Sequence, residues 1–186
     1  MRLFVAIDLD DIARQAIARA QRRMAGILET DRSMKWVSPT HMHLTLAFLG
    51  ETADPAVPAI VDALSPNIDA RPFGAVFQRL GVFPPRGAPR VLWLGVADGA
   101  SEVIDTQRVV ARRAAQAGVP LEARPFHPHL TLARWRSSRR DDARRALSAA
   151  PDTPIARVTV DHVTLYASRP TPAGPVHTVV ARATLT

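Results

Sequence analysis

Two histidine–threonine pairs, His43-x-Thr45 and His129-x-Thr131, are the residues of this 186-residue chain best suited to chemistry. Each lies in the same pentapeptide, His43-Leu44-Thr45-Leu46-Ala47 and His129-Leu130-Thr131-Leu132-Ala133, with another histidine two residues upstream, His41 and His127. Imidazole titrates ordinarily near a pKa of roughly 6.5, so of two facing histidines one can be neutral while the other is protonated. Such a pair can take a proton from a nucleophile on one side of a phosphorus and give one to a leaving oxygen on the other. Threonine hydroxyls one step along the same strand faces can donate to the non-bridging oxygens as charge gathers there. The set predicts in-line displacement at phosphorus without a metal.

A metal site is the competing reading. His41-x-His43 and His127-x-His129 are spaced so that two imidazoles can share an ion, and four histidines could close a zinc site. Neither word contains Asp or Glu to serve as ligand or base. Pro39 and Pro125 also delay the strands until about residues 42 and 128, leaving His41 and His127 in less regular backbone. No metal and no cofactor are therefore expected.

The elements that must position these residues follow from the repeat. The words stand 86 residues apart, and the same offset carries Pro39 to Pro125, Pro84 to Pro170 and Pro89 to Pro175. A duplicated half-domain is the implication, with repeat words at 41–47 and 127–133. In the first half, Arg2 to Leu9 reads as a strand, and Ile12, Ala16, Ile17, Ala20 and Met24 give helical spacing to about Leu28. Lys35-Trp36-Val37 is a short extended piece, and the first word runs as a strand from about Met42 to Leu49. Strict alternation puts His43, Thr45 and Ala47 on one face and Leu44, Leu46 and Phe48 on the other. A helix over 54–64, strands over 73–83 and 90–96 joined by Pro84–Pro89, and a helix over 101–117 follow.

The pattern then restarts. A strand spans 126–135, an arginine-rich helix 139–149, and strands 157–168 and 176–185 are joined across Pro170–Pro175. Hairpins imply antiparallel pairing, and helices must cover one face of each sheet. The predicted fold is α+β: a single bilobal domain over 1–186 with a pseudo-two-fold axis. Two antiparallel sheets line a central cleft, with helices outside.

Composition limits the alternatives. With 47% apolar and 22% charged residues the chain is an ordinary globular sequence. No apolar run approaches the roughly 18 residues of a membrane span. The first residues reach Asp8 too early for a signal peptide. Absence of cysteine excludes disulfides, thiolate metal sites and a cysteine nucleophile. A cytoplasmic location is expected, and a cleft completed within one chain needs no dimer. The net charge of +7 comes almost wholly from arginine, since Lys35 is the single lysine, and it supports a polyanionic partner only weakly.

The two His-x-Thr-Leu words, the second continuing to Arg134, resemble the two-histidine phosphoesterase superfamily and, more closely, the RNA 2′,3′-cyclic phosphodiesterases historically called 2′-5′ RNA ligases. Arg2–Ile7, Trp36-Val37, Phe48-Leu49-Gly50-Glu51, Pro89–Gly95 and Leu165-Tyr166-Ala167-Ser168 carry the resemblance over essentially the whole chain. It implies hydrolysis of an RNA terminal 2′,3′-cyclic phosphate to a 2′-phosphate, with His43 as proton donor and His129 as proton acceptor. Thr45 and Thr131 would hold the phosphate, and Arg134 would contact it. Alternation turns Arg134 away from the histidine face, so a bulge or strand end is expected there. Phe48 and Trp36 are candidates for stacking on a terminal base, although Phe48 shares a face with the leucines. His177 stands where relatives commonly have tyrosine, as a substrate-lining position, and His162 reads as an ordinary surface or sheet residue. ATP-independent, reversible 2′-5′ ligation and non-catalytic binding of RNA ends are the alternatives. tRNA fragments and 2′-5′ linked oligonucleotides are among the RNAs that fit.

Overall fold

The β-rich opening forms β1 (Arg2–Ile7), and Asp10 caps the helix that follows, its carboxylate accepting from the Ala13 amide at 2.7 Å. That helix, α1 (Asp11–Ile27), buries Ala13, Ile17, Ala20, Gln21 and Met24. After it come β2 (Met34–Trp36), a 3₁₀ turn at Pro39–His41 and the first-word strand β3 (Leu44–Glu51). The first half ends with α2 (Val57–Leu64), β4 (Phe73–Phe83), β5 (Val91–Val96) and α3 (Ala100–Gln116). The second word forms β6 (His129–Trp135), followed by α4 (Arg140–Ser148), β7 (Ala156–Val160), β8 (His162–Thr171) and β9 (Gly174–Thr184). The computed structural model describes residues 1–28, 33–120, 124–151, 153–172 and 174–186. The expected Pro170–Pro175 connection includes Ala173, which lies outside the described residues.

Two antiparallel groups, β3-β1-β8-β9 and β6-β5-β4-β7, meet at one paired position, Leu44 opposite Leu130, and β2 adds to β6. The two expected sheets are thus continuous through a single ladder step. Leu44 and Leu130 are equivalent under the 86-residue offset, so their antiparallel pairing places the pseudo-two-fold between them. The relation extends outward: β1 and α1 begin and end 89 positions before β5 and α3. The lobes do not coincide with the sequence halves, however. The hairpin β4–β5 follows the first word but pairs with the second-word strand, and β8–β9 joins the first-word strand through β1.

One strand expected over 157–168 is two. Its chain pairs with β4 in one lobe, breaks at Asp161, and resumes as β8 beside β1 in the other. This one-residue step links one edge of the sheet to a strand near the opposite edge and curls it. Ile68 bridging Leu185 draws the same edges together. On the helical side, α1 packs against β7, while α3 packs against α2, β3 and β4. Leu44, Leu46, Leu130 and Leu132 point into that core and are essentially inaccessible. No helix among the described residues is long and apolar enough to cross a membrane.

Candidate active site

Both words carry a bulge at the same place, and the bulges decide what faces the cleft. β1 pairs Val5 with Ala47 but Ala6 with Thr45, which skips Leu46; β5 pairs Leu92 with Ala133 but Trp93 with Thr131, which skips Leu132. Each skip puts two successive residues toward the core and returns the next one to the histidine face. In β6 that residue is Arg134, and the expected bulge is present. In β3 it is Phe48, which alternation assigned to the leucine face. Phe48 is instead 64% exposed and near Phe4, with ring centroids 6.4 Å apart.

At the Leu44–Leu130 junction the two words run antiparallel, so His43 and Thr45 flank Leu44 on one strand as His129 and Thr131 flank Leu130 on the other. The imidazoles are held alike. His43 Nδ1 donates to the His41 carbonyl at 2.8 Å, and His129 Nδ1 donates to the His127 carbonyl at 2.7 Å. A carbonyl only accepts, so Nδ1 keeps its proton in both charge states and the exchangeable proton resides on Nε2. The first histidine of each His-x-His, His41 or His127, therefore serves through its backbone carbonyl, orienting the second.

The walls are aromatic. In the first lobe Phe4 stacks between His43 (4.8 Å) and Tyr166 (5.2 Å), and His177 lies edge-on to Phe4, His41 and His43 at 5.0, 5.4 and 5.7 Å. In the second, Trp93 and Phe83 flank His127 and His129. Trp93 lies flat over Gly81, where a Cβ would come within 2.0 Å of its ring. Trp93 is the counterpart of Phe4 at the 89-residue offset, a relation visible only once β5 is matched to β1.

Burial, His177 and His41 push the His43 pKa down to about 4, against the His41 carbonyl and Asp8, which favour the charged form. Burial also lowers His129, helped by His127 and Arg134 and opposed by the His127 carbonyl. His177 is lowered by burial and by His41. Its Nδ1 is buried with no hydrogen-bond partner among the described residues.

The structure brings His43, Thr45, His129, Thr131, Arg134, Phe48 and His177 to one face. Trp36 is not among them. It pairs with Ala133, which is fully buried, and packs against the core, whereas its neighbour Lys35 pairs with Arg134 and is exposed. Residues of the site or its support that escaped the reading of the sequence include Phe4, Phe83, Trp93, Tyr166, Asp8 and Gln21. Tyr166 Oη and Thr164 Oγ1 donate to the Asp8 carboxylate at 2.6 and 2.7 Å. His162, expected to be an ordinary sheet residue, lies 3.5 Å from the same carboxylate.

Gln21 supports the bulge from below. Its Nε2 donates to the carbonyls of Val37 (2.9 Å) and Leu132 (3.0 Å), and Leu132 is the residue the ladder skips. A polar residue on the apolar stripe of α1 was the available signal. Gln21→Ala is expected to cost about 1–3 kcal/mol and to speed amide exchange around Ala133 and Arg134. Unchanged thermal unfolding and unchanged exchange would show the bulge to be independent of it.

Comparison with known proteins accords with this geometry. Residues 9–171 match the model of the 2′-5′ RNA ligase superfamily. The RNA 2′,3′-cyclic phosphodiesterase of Aquifex aeolicus is 35% identical over 148 residues, covering 78% of this chain and 79% of that protein. The enzyme of the same name from Aeropyrum pernix is 33% identical, covering 87% and 92%. Among solved structures, Escherichia coli LigT complexed with 3′-AMP superposes with a TM-score of 0.76 at 29% identity, covering 100% of this chain and 98% of that one. A protein of Thermus thermophilus does so with a TM-score of 0.75 at the same identity and coverage. By its two words, its curled sheet and these likenesses, the chain belongs to the 2′-5′ RNA ligase superfamily.

Proposed function

We propose that this protein opens the 2′,3′-cyclic phosphate at an RNA terminus by hydrolysis, leaving a 2′-phosphate, with His43 and His129 as acid and base and no metal. The observation that carries the reading is the matched pair of imidazoles. Each is fixed through Nδ1 to a backbone carbonyl, and the two flank one strand junction with Nε2 left for proton transfer. The substrate class comes from the names of the relatives.

The cyclic phosphate sits over the junction with its non-bridging oxygens on Thr45, Thr131 and Arg134. His129 Nε2 takes a proton from water as the water oxygen bonds to phosphorus. The P–O3′ bond breaks opposite, and His43 Nε2–H gives its proton to O3′. The histidines end with exchanged protonation states and reset through solvent. Phe48 offers an exposed ring to the terminal base, and His177 lines the wall beside His43. The protein works as a cytoplasmic monomer on RNA ends, tRNA fragments and 2′-5′ linked oligonucleotides among them.

The depressed histidines set the pH dependence. In the free protein the singly protonated pair is populated below pH 6.5, so kcat/KM is expected to be bell-shaped with its maximum on the acid side of 6.5. A bound phosphate anion favours imidazolium, so the kcat profile is displaced upward. Turnover of an oligoribonucleotide ending in 2′,3′-cyclic phosphate is expected to persist in excess EDTA. Loss of turnover with restoration by zinc, or a kcat/KM that climbs steadily from about pH 5 to 9, would replace this mechanism.

A further inference from the structure

The pseudo-two-fold gives His43 and His129 the same strand position, the same carbonyl partner and comparable aromatic walls. The reaction proposed above, on which this inference rests, needs one of them to give a proton and the other to take one. A pH–rate profile cannot distinguish them, because exchanging the two roles leaves the curve unchanged. The residues that break the symmetry can.

Two charged positions near the histidines lack a charged counterpart. Asp8 follows β1, and the residue equivalent to it after β5 is Ala97. Arg134 returns to the cleft face after its bulge, and the residue equivalent to it is Phe48. One lobe thus carries a carboxylate where the other has a methyl group, and the second carries a guanidinium where the first has a phenyl ring.

Register places Asp8 beside His43. β1 pairs Ile7 with Leu44 and Ala6 with Thr164, so one further step along the first ladder and two along the second set Asp8 between His43 and His162. Directly opposed residues on one face have Cβ atoms roughly 4.5–5.5 Å apart. Tyr166 Oη on Oδ1 and Thr164 Oγ1 on Oδ2 fix the carboxylate. Phe4, stacked between Tyr166 and His43, fixes the ring that receives its field. His43 Nδ1 is occupied by the His41 carbonyl, so Asp8 acts through its charge and not as the hydrogen-bonded carboxylate of a Ser-His-Asp triad.

We infer that Asp8, held by Tyr166 and Thr164, is the positioning residue that makes His43 the proton donor, while Arg134 beside His129 keeps that histidine the acceptor. The assignment comes from charges on this chain and not from the order of the words. Other titratable groups face His43 and Asp8. Burial, His177 and His41 disfavour the charged form of His43, which the His41 carbonyl, Asp8 and the substrate anion must overcome. His162, itself bonded to Asp161, lies on the far side of Asp8. Tyr166, near Arg14 and Arg182, has its pKa pushed up to about 12 by burial and Asp8 and remains a donor throughout the working range.

Asp8→Asn tests this. Loss of one full charge about 5–6 Å from an imidazolium, screened at an effective dielectric of about 40, displaces its titration by about one pH unit. The alkaline limb of kcat on a cyclic-phosphate-ended oligoribonucleotide is expected to move down by about that much, with kcat at pH 7.5 falling about tenfold and KM changing less than about threefold. Asp8→Glu should restore most of the loss, which a merely structural role would not predict. Independently of activity, histidine-labelled NMR titration in inorganic phosphate should show the His43 midpoint lowered in Asp8→Asn and the His129 midpoint unmoved. Tyr166→Phe, which keeps the charge but frees it, should give a smaller change of the same sign. A kcat profile superimposable on wild type, or equal displacement of both midpoints, overturns the inference. If the wild type does not open the cyclic phosphate, the proposed function fails, and the NMR titration still decides the role of Asp8.

Discussion

Replacing either His43 or His129 with alanine is expected to lower kcat for opening a ribose 2′,3′-cyclic phosphate by about 10³-fold, within the range one general acid or base supplies. KM should change far less, because Thr45, Thr131 and Arg134 still hold the phosphate. The reason is atomic. Each imidazole has one nitrogen committed to a carbonyl, so truncation removes the only nitrogen that can carry the transferred proton. The double variant should be little worse than either single one, since half of a proton relay does not turn over. Both histidines are only half-buried, so folding should survive and circular dichroism should be unchanged. Retention of more than about a tenth of wild-type kcat in either variant would remove that histidine from the chemistry.

The opposite outcome is expected one residue away. Leu44→Ala and Leu130→Ala should each destabilise the protein by about 3 kcal/mol, lowering the unfolding midpoint by roughly 6–12 °C. Both side chains are fully buried, and their backbones make the one ladder step joining the two sheet groups. The cavity opens beneath the line between the two imidazoles, so kcat should fall several-fold as the lobes lose their fixed spacing, well short of the histidine variants. Leu132→Ala, equally buried but away from the junction, should match the stability loss while sparing kcat. If Leu44→Ala melts like wild type, the junction does not hold the lobes.

Period and repetition carried much of this fold. Alternation in HLTLA separates the buried leucines from the half-exposed His and Thr, and the offset of the words is the offset of the Leu44–Leu130 pair. The 17-residue helices were legible from their apolar stripes. What alternation could not show was any departure from it. The bulge at Leu46 turns Phe48 into the cleft, and no residue type within the word marks it; in β6 only the need to place Arg134 did. Trp36 misled for the converse reason, since an aromatic beside a functional word looks the same whether it faces substrate or core. The break at Asp161 is a change of partner inside one β-rich run, and local preference is blind to partners. Asp8 and Gln21 owe their roles to residues 156 and 111 positions away, so no local pattern could reveal them.

The central claim is that water activated at His129 displaces O3′ protonated at His43. Its most direct test is ³¹P NMR of the product formed in H₂¹⁸O with EDTA present. The account predicts a single product, the 2′-phosphate, with one ¹⁸O on phosphorus per turnover. A 3′-phosphate, a mixture of isomers or unlabelled product would contradict it.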